Sequence, residues 1–260
     1  MRSIHNQLNA WMDGNALTDL HPMLFIEEIS CTPAEISFVS TTAARRDGEL
    51  MLSSRRSAPT VTITLRILTE DRVNRQAVYQ RLVTWASGSE LRISDRPGQA
   101  LRCVCTGMPA MGSVMKWTEP FTLTLTGFEH AFWRETVVST LTLSGTSGSG
   151  QLYIPGNGGA VCGEVVVTPP TGATLNTLTL TVGSTSMSFS SLGASLTNPL
   201  TITYDDRRIQ SIKVGSTSAL NKRTGASADD LLGICGKLNN ISFTSNVNVS
   251  AVFRFRGAWA

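Results

Sequence analysis

The chain has 260 residues, 41% of them hydrophobic and only 16% charged, with a formal net charge of +3. That length leaves room for two cores, and the lack of any run of about 18 apolar residues excludes a membrane-spanning helix. The first ten residues carry no apolar block of the kind a secretory signal needs, so the expectation is a soluble chain that stays where it is made or leaves by cell lysis.

Residues 1–135 hold 14 basic and 14 acidic side chains, and residues 136–260 hold eight basic and five acidic. The pairs Arg45-Arg46, Arg55-Arg56 and Arg207-Arg208 stand apart from one another, without the clustered basic face and interleaved aromatics that nucleic acid requires. No nucleic-acid recognition is expected. In the first part every basic residue except Lys116 is Arg, and forked guanidinium pairs favour protein interfaces over loose surface charge.

In chain order, a first domain beginning near Ala16 shows extended segments at residues 23–31, 35–42, 49–54 and 60–68. In the last of these Val61, Ile63, Leu65 and Ile67 are apolar at every second position, which reads as a strand with one buried face. Directly after it, Val73, Ala77, Val78, Leu82, Val83 and Ala86 predict one apolar stripe of a helix over residues 72–87, with Asp71 as N-cap and Gly88 as its stop. Tyr79 and Trp85 are expected at the helix edges, where their polar tips reach partners. Short strands follow at 90–94 and 100–106, then a longer one over 116–130, with Phe121, Leu123, Leu125 and Phe128 facing inward.

From Glu135 the texture turns to Ser, Thr and Gly, with candidate strands at 137–143, 151–154, 163–168, 175–182, 186–190, 200–204, 209–214, 240–244 and 247–255. Turns are expected at 145–150, 156–159, 169–172 and 183–185. Regular short strands separated by turns are the signature of a β-sandwich. The fold class expected is therefore mainly β: an N-terminal β-sandwich-like domain with one α-helix (residues 1–134) and a C-terminal β-sandwich (residues 135–260).

Little chemistry is legible. Cys31, Cys103, Cys105, Cys162 and Cys235 are odd in number and scattered, which suits small buried hydrophobes rather than a disulfide framework or a zinc site. Only His5, His21 and His130 could act as imidazole bases, and no Gly-x-Ser-x-Gly elbow is present. The Gly156-Asn157-Gly158-Gly159 loop lacks the Lys-Ser/Thr of a phosphate loop and reads as a β-turn. Asp205-Asp206 and Asp229-Asp230 are adjacent pairs that could ligate calcium or serve glycoside hydrolysis, but neighbours on a strand face opposite ways; residues 228–232 read better as a short helical turn. No catalytic, cofactor or metal residues are assigned, no cofactor is expected, and the chain is read as a non-enzyme. Tyr153, Phe189, Tyr204, Phe253, Phe255 and Trp259 could stack sugar rings, yet most alternate with polar residues as core positions do.

The order of a strand, Arg46-Asp47-Gly48, a strand, a helix with Trp85 near its end, and then Leu91-Arg92-Ile93-Ser94-Asp95-Arg96-Pro97 resembles the N-terminal domain of distal tail proteins of long-tailed, siphovirus-type bacteriophages. The ending Asn240-Ile241-Ser242-Phe243, followed by Phe253-Arg254-Phe255-Arg256-Gly257-Ala258-Trp259, is similar to that of the same family. The likeness spans most of residues 15–260 and is more specific in the first domain than in the second. It implies a virion structural protein, made in the host cytoplasm. A homo-hexameric ring of first domains would join the tail tube protein to the tip hub or baseplate, with a galectin-like or carbohydrate-module-like second domain projecting outward. Residues 1–10, with Trp11 and Met12, fall outside that pattern and read as an extension that docks on a neighbour. Two alternatives remain at this point. One is an adhesion module binding a host glycan or receptor through Tyr204 or Trp259, and the other is a tail-tube or baseplate-hub protein of related fold.

Overall fold

The computed structural model describes residues 8–42, 49–69, 71–114, 119–128, 131–205, 208–224 and 230–260. Contacts divide the chain into two units, Met1–Trp133 with Ala260, and Arg134–Trp259.

In the first unit, Val61, Ile63, Leu65 and Ile67 are all buried along β6 (Thr60–Ile67), the alternation that the sequence predicts. Strand β6 pairs antiparallel with β3 (Leu24–Thr32) on one side and β9 (Phe121–Gly127) on the other. Strand β9 passes to the C-terminal half of β8 (Gln99–Gly107), and the other half of β8 pairs with β7 (Glu90–Ile93). The sheet then ends with β1 (Ala10–Met12) and β2 (Asn15–Ala16). A separate two-stranded sheet is formed by β4 (Ile36–Thr42) and β5 (Glu49–Arg56).

Helix α1 (Arg72–Ala86) starts where expected: the Val73 amide donates to Asp71 Oδ1 at 2.9 Å. Its buried stripe differs from the predicted one. Arg75, Val78, Leu82, Trp85 and Ala86 are buried, whereas Val73 is 75% and Val83 45% exposed. The reason is Arg75, whose Nε donates to Thr69 O at 2.5 Å and whose Nη2 donates to Ile67 O at 3.0 Å, so the guanidinium ties the helix to the end of β6. Trp85 Nε1 donates to Asn15 O at 2.7 Å, while Tyr79 is half-buried. A short helix, α2 (Met111–Val114), precedes β9.

Two expectations about this unit are corrected. Ala10 and Met12 are fully buried on β1, so residues 10–12 are part of the sheet rather than an extension before Ala16. Asp13 and Gly14, both at positive φ, make the tight turn into β2, an Asp-Gly hairpin signal that explains the placement. Gly88 is also not a left-handed helix stop. Its φ is ordinary, and what it provides is space: a Cβ there would collide with Met12 Cγ and Asp13 Oδ2.

In the second unit, β10 (Trp133–Ile154) and β19 (Lys237–Trp259) replace the four short strands predicted at 137–143, 151–154, 240–244 and 247–255. Strand β10 nevertheless turns. A Cβ on Gly148 would lie 3.3 Å from Leu143 Cβ, although five residues of straight strand cover about 16 Å. Gly145, at φ +127°, stands between them, so the strand changes direction there and the glycines make room for leucines folded over them. Strand β19 changes partners in the same way. Up to Ser245 it pairs with β13 (Leu178–Val182), which pairs with β14 (Thr185–Phe189), and from Ser250 it pairs with β12 (Gly163–Thr168). Beyond β12 lie β15 (Leu200–Asp205), β16 (Arg208–Val214) and β17 (Thr217–Ser218). The result is a β-sandwich whose core holds Phe243, Phe253, Phe255, Val165, Leu180 and Ile202, all at most 2% exposed. A two-stranded ladder of β11 (Ala160–Val161) and β18 (Gly233–Ile234) closes one end.

Candidate assembly surface

Among the described residues of the first unit, exposed large apolar side chains gather on the β4–β5 hairpin. Ile36 is 56%, Phe38 63% and Val39 59% exposed. Ile36 and Phe38 are alternate residues, and Val39 sits at a bulge in the register against β5, so apolar side chains stand on both sides of the ribbon. The base is held firmly: the Ser57 amide donates to Glu35 O, the Glu35 amide donates to Ser57 Oγ, both at 2.8 Å, and the Arg56 guanidinium lies 5.0 Å from the Phe132 ring centre. A hairpin standing alone is marginal in water, and three uncovered large side chains are surface of the kind that partners bury. The same unit has a groove of about 910 Å³ between α1 and the β1–β2 turn, lined in part by Asp13, Asp19, Arg81 and Trp85.

The residues singled out for chemistry are not brought together. His21 Nδ1 accepts from the Met23 amide at 3.1 Å, a turn-forming role. His5, His130, Lys116, Asp206, Arg207, Asp229, the Arg45-Arg46 pair and the Arg46-Asp47-Gly48 motif lie outside the described residues, as does Ala228, while Asp230, Leu231 and Leu232 are not helical, against the short helical turn expected over 228–232. Among the described residues no group of three or more His, Cys, Asp or Glu could hold a metal ion, and no helix is long and apolar enough to cross a membrane. The Gly156–Gly159 loop has already committed its amides: Asn157 and Gly158 both donate to Ala258 O, at 3.0 and 2.8 Å, and a Cβ on Gly156 would collide with that carbonyl. All five cysteines are thiols. Burial pushes Cys103 up to about 12, with Asp13 and Cys105 adding to it, so it stays protonated and unreactive at neutral pH.

The two aromatics named for the adhesion alternative, Trp259 and Tyr204, are used internally. Trp259 Nε1 donates to Glu135 Oε1 at 2.5 Å, and the Tyr204 hydroxyl accepts from the Leu231 amide at 3.3 Å. Burial pushes the Tyr204 phenol up from its ordinary value. Tyr153, by contrast, is 54% exposed.

No protein-family model and no curated protein matches the chain. Among solved structures, SPP1 Dit (gp 19.1), described as a paradigm of the hub adsorption apparatus in phages infecting Gram-positive hosts, superposes with a TM-score of 0.66 at 13% identity, over 96% of this chain and 98% of that one. The chain has the Dit fold. Two structures of the phage p2 baseplate in its activated conformation, with Ca and with Sr, match at TM-scores of 0.46 and 0.47 and 8% identity, over 90% and 97% of this chain and 90% and 99% of those chains. In the Dit fold as this sequence builds it, β4–β5 and the α1 groove are features of one unit, and the sandwich of β10–β19 is the other.

Proposed function

We propose that this chain is a structural, non-enzymatic component of a bacteriophage tail tip. Residues 1–134 assemble into a homo-hexameric ring that joins the tail tube protein to the tip hub or baseplate, and residues 135–260 form a galectin-like sandwich domain. The protein is made in the host cytoplasm and ends in the virion. The observation that carries this reading is the β4–β5 hairpin, with Ile36, Phe38 and Val39 uncovered on both sides of the ribbon. The Dit fold supports it. A ring needs a heterologous contact between two different surfaces of one subunit, and an arm and a groove in the same unit satisfy that requirement. Mass measurement of the purified protein, with class averages in electron microscopy, tests it: a closed ring of six supports the reading, and a strict monomer at high concentration contradicts it.

An adhesion module is the second reading. Its former candidates, Tyr204 and Trp259, are tied down within the second unit, which moves the question to Tyr153.

A further inference from the structure

Two apolar patches stand at opposite ends of the first unit. Strands β3 and β6 pair from Thr32 and Thr60 at one end to Leu24 and Ile67 at the other, and the eight residues of β6 span about 25 Å. Glu35 and Ser57, the base of the β4–β5 hairpin, lie three residues beyond the first end, and the hairpin carries the uncovered Ile36, Phe38 and Val39. One residue beyond the second end, Met23 and Leu68 sit opposite each other, 41% and 43% exposed, with the Leu68 amide donating to Met23 O at 2.9 Å. Val73, in the first turn of α1, is 75% exposed. It precedes Ala77 by one turn and shares a helix face with Gln80 and Thr84, which line the groove, while Met23 follows the groove residue Leu20. The patch therefore extends the groove toward the N-terminus of α1.

We infer that the β4–β5 hairpin of one copy lands on Met23, Leu68 and Val73 of the next, so that copies join head to tail. The inference rests on the proposed assembly of the first unit and names the surface that receives the arm. Within one copy the two patches are separated by the length of the β3–β6 pair, and both stay uncovered. Three side chains exposed by 56–63% on the arm and three exposed by 41–75% at the far end leave on the order of 300 Å² of apolar surface each. Since about 57% of a specific interface is apolar, their contact would bury roughly 1,100 Å² in all, enough for the about 1,000 Å² that such an interface needs. A symmetric contact of two hairpins would close as a dimer and leave Met23, Leu68 and Val73 in water. The deeper part of the groove is a poorer seat, because Asp19, Gln80 and Thr84 would lose water to apolar side chains and gain no partner.

The test is complementation between two full-length variants, read as mass in solution. Ile36→Ser with Phe38→Ser disables the arm, and Met23→Ser with Val73→Ser disables the surface that receives it. Each variant alone shifts the assembly equilibrium toward monomer by at least about tenfold. An equal mixture gives a two-subunit complex and nothing larger, because one variant brings the intact arm and the other the intact receiving surface. Melting temperatures matching that of the dilute native chain show that the variants are folded, and Leu68→Gln serves as a second receiving-surface variant. A Met23/Val73 variant that assembles as the native chain does, or a mixture that stays monomeric, overturns the inference. A native assembly of some other number whose Met23/Val73 variant is monomeric supports the contact and contradicts the ring of six, whereas a ring of six that survives that variant keeps the ring and removes the contact.

Discussion

Arg75 shows how a single side chain redirects an element. It lies off the apolar stripe predicted for α1, yet it is 1% exposed and donates to the Ile67 and Thr69 carbonyls at the end of β6. Replacing it with Ala removes the donors and leaves those carbonyls buried, so Arg75→Ala is expected to lower stability by about 2–4 kcal/mol in denaturant unfolding; a loss under about 0.5 kcal/mol would mean the guanidinium anchors nothing. Tyr204 is the group whose effect depends on pH. Its folded-state phenol is raised above the ordinary value of 10.0 mainly by burial, so the unfolded chain ionises first. Its contribution to stability is intact below that value and is lost as pH climbs through the phenol range. Tyr204→Phe should flatten the alkaline limb of the stability curve while lowering stability near neutrality by about 1 kcal/mol, because the Leu231 amide loses its acceptor. The thiols make a third case. Half-buried Cys31, Cys105 and Cys162 should react with a thiol reagent before buried Cys103 and Cys235, and early labelling of Cys103 would contradict its burial.

At the scale of elements, what the sequence made legible was periodicity, and what it hid was space. Strand β6 and helix α1 were readable because their patterns are long and their caps conventional, down to Asp71. The buried face of α1 is not the one its valines indicate, because Val73 and Val83 are exposed and the fold buries Arg75. The Gly-Ser stretch at 145–150 reads as a loop, but cross-strand pairing carries the strand through it, and its glycines serve the corner where Leu141 and Leu143 fold over Gly148 and Gly150. No local signal distinguishes a glycine needed for a turn from one needed for close approach. Asp13-Gly14 is a hairpin signal in the sequence, and the turn it makes pairs β1 with β2 instead of leaving residues 10–12 as an extension. As for the candidate site, the apolar alternation at 35–42 was legible as a strand, whereas its separation from the main sheet was not, since pairing partners are not written in local pattern. The hairpin gives a direct test: burying a side chain such as Phe38 is worth about 1.5–3 kcal/mol, so Ile36→Ser with Phe38→Ser should shift the assembly equilibrium toward monomer by at least about tenfold and leave the monomer's melting temperature unchanged. Unaltered assembly would remove the hairpin from the interface.

For the whole molecule, the passage from the first unit to the second runs inside β10 rather than through a linker. A hydrogen-bonded strand must open locally before a protease can cut it, so limited proteolysis should spare residues 134–139, and rapid cleavage there would show that β10 is not continuous. The proposed self-assembly rests on the exposed apolar hairpin of the first unit. The decisive measurement is the mass of the full-length protein in solution as its concentration is raised, with particle images at the highest value. A closed ring of six subunits is the predicted result, and a single-subunit mass throughout would contradict the account.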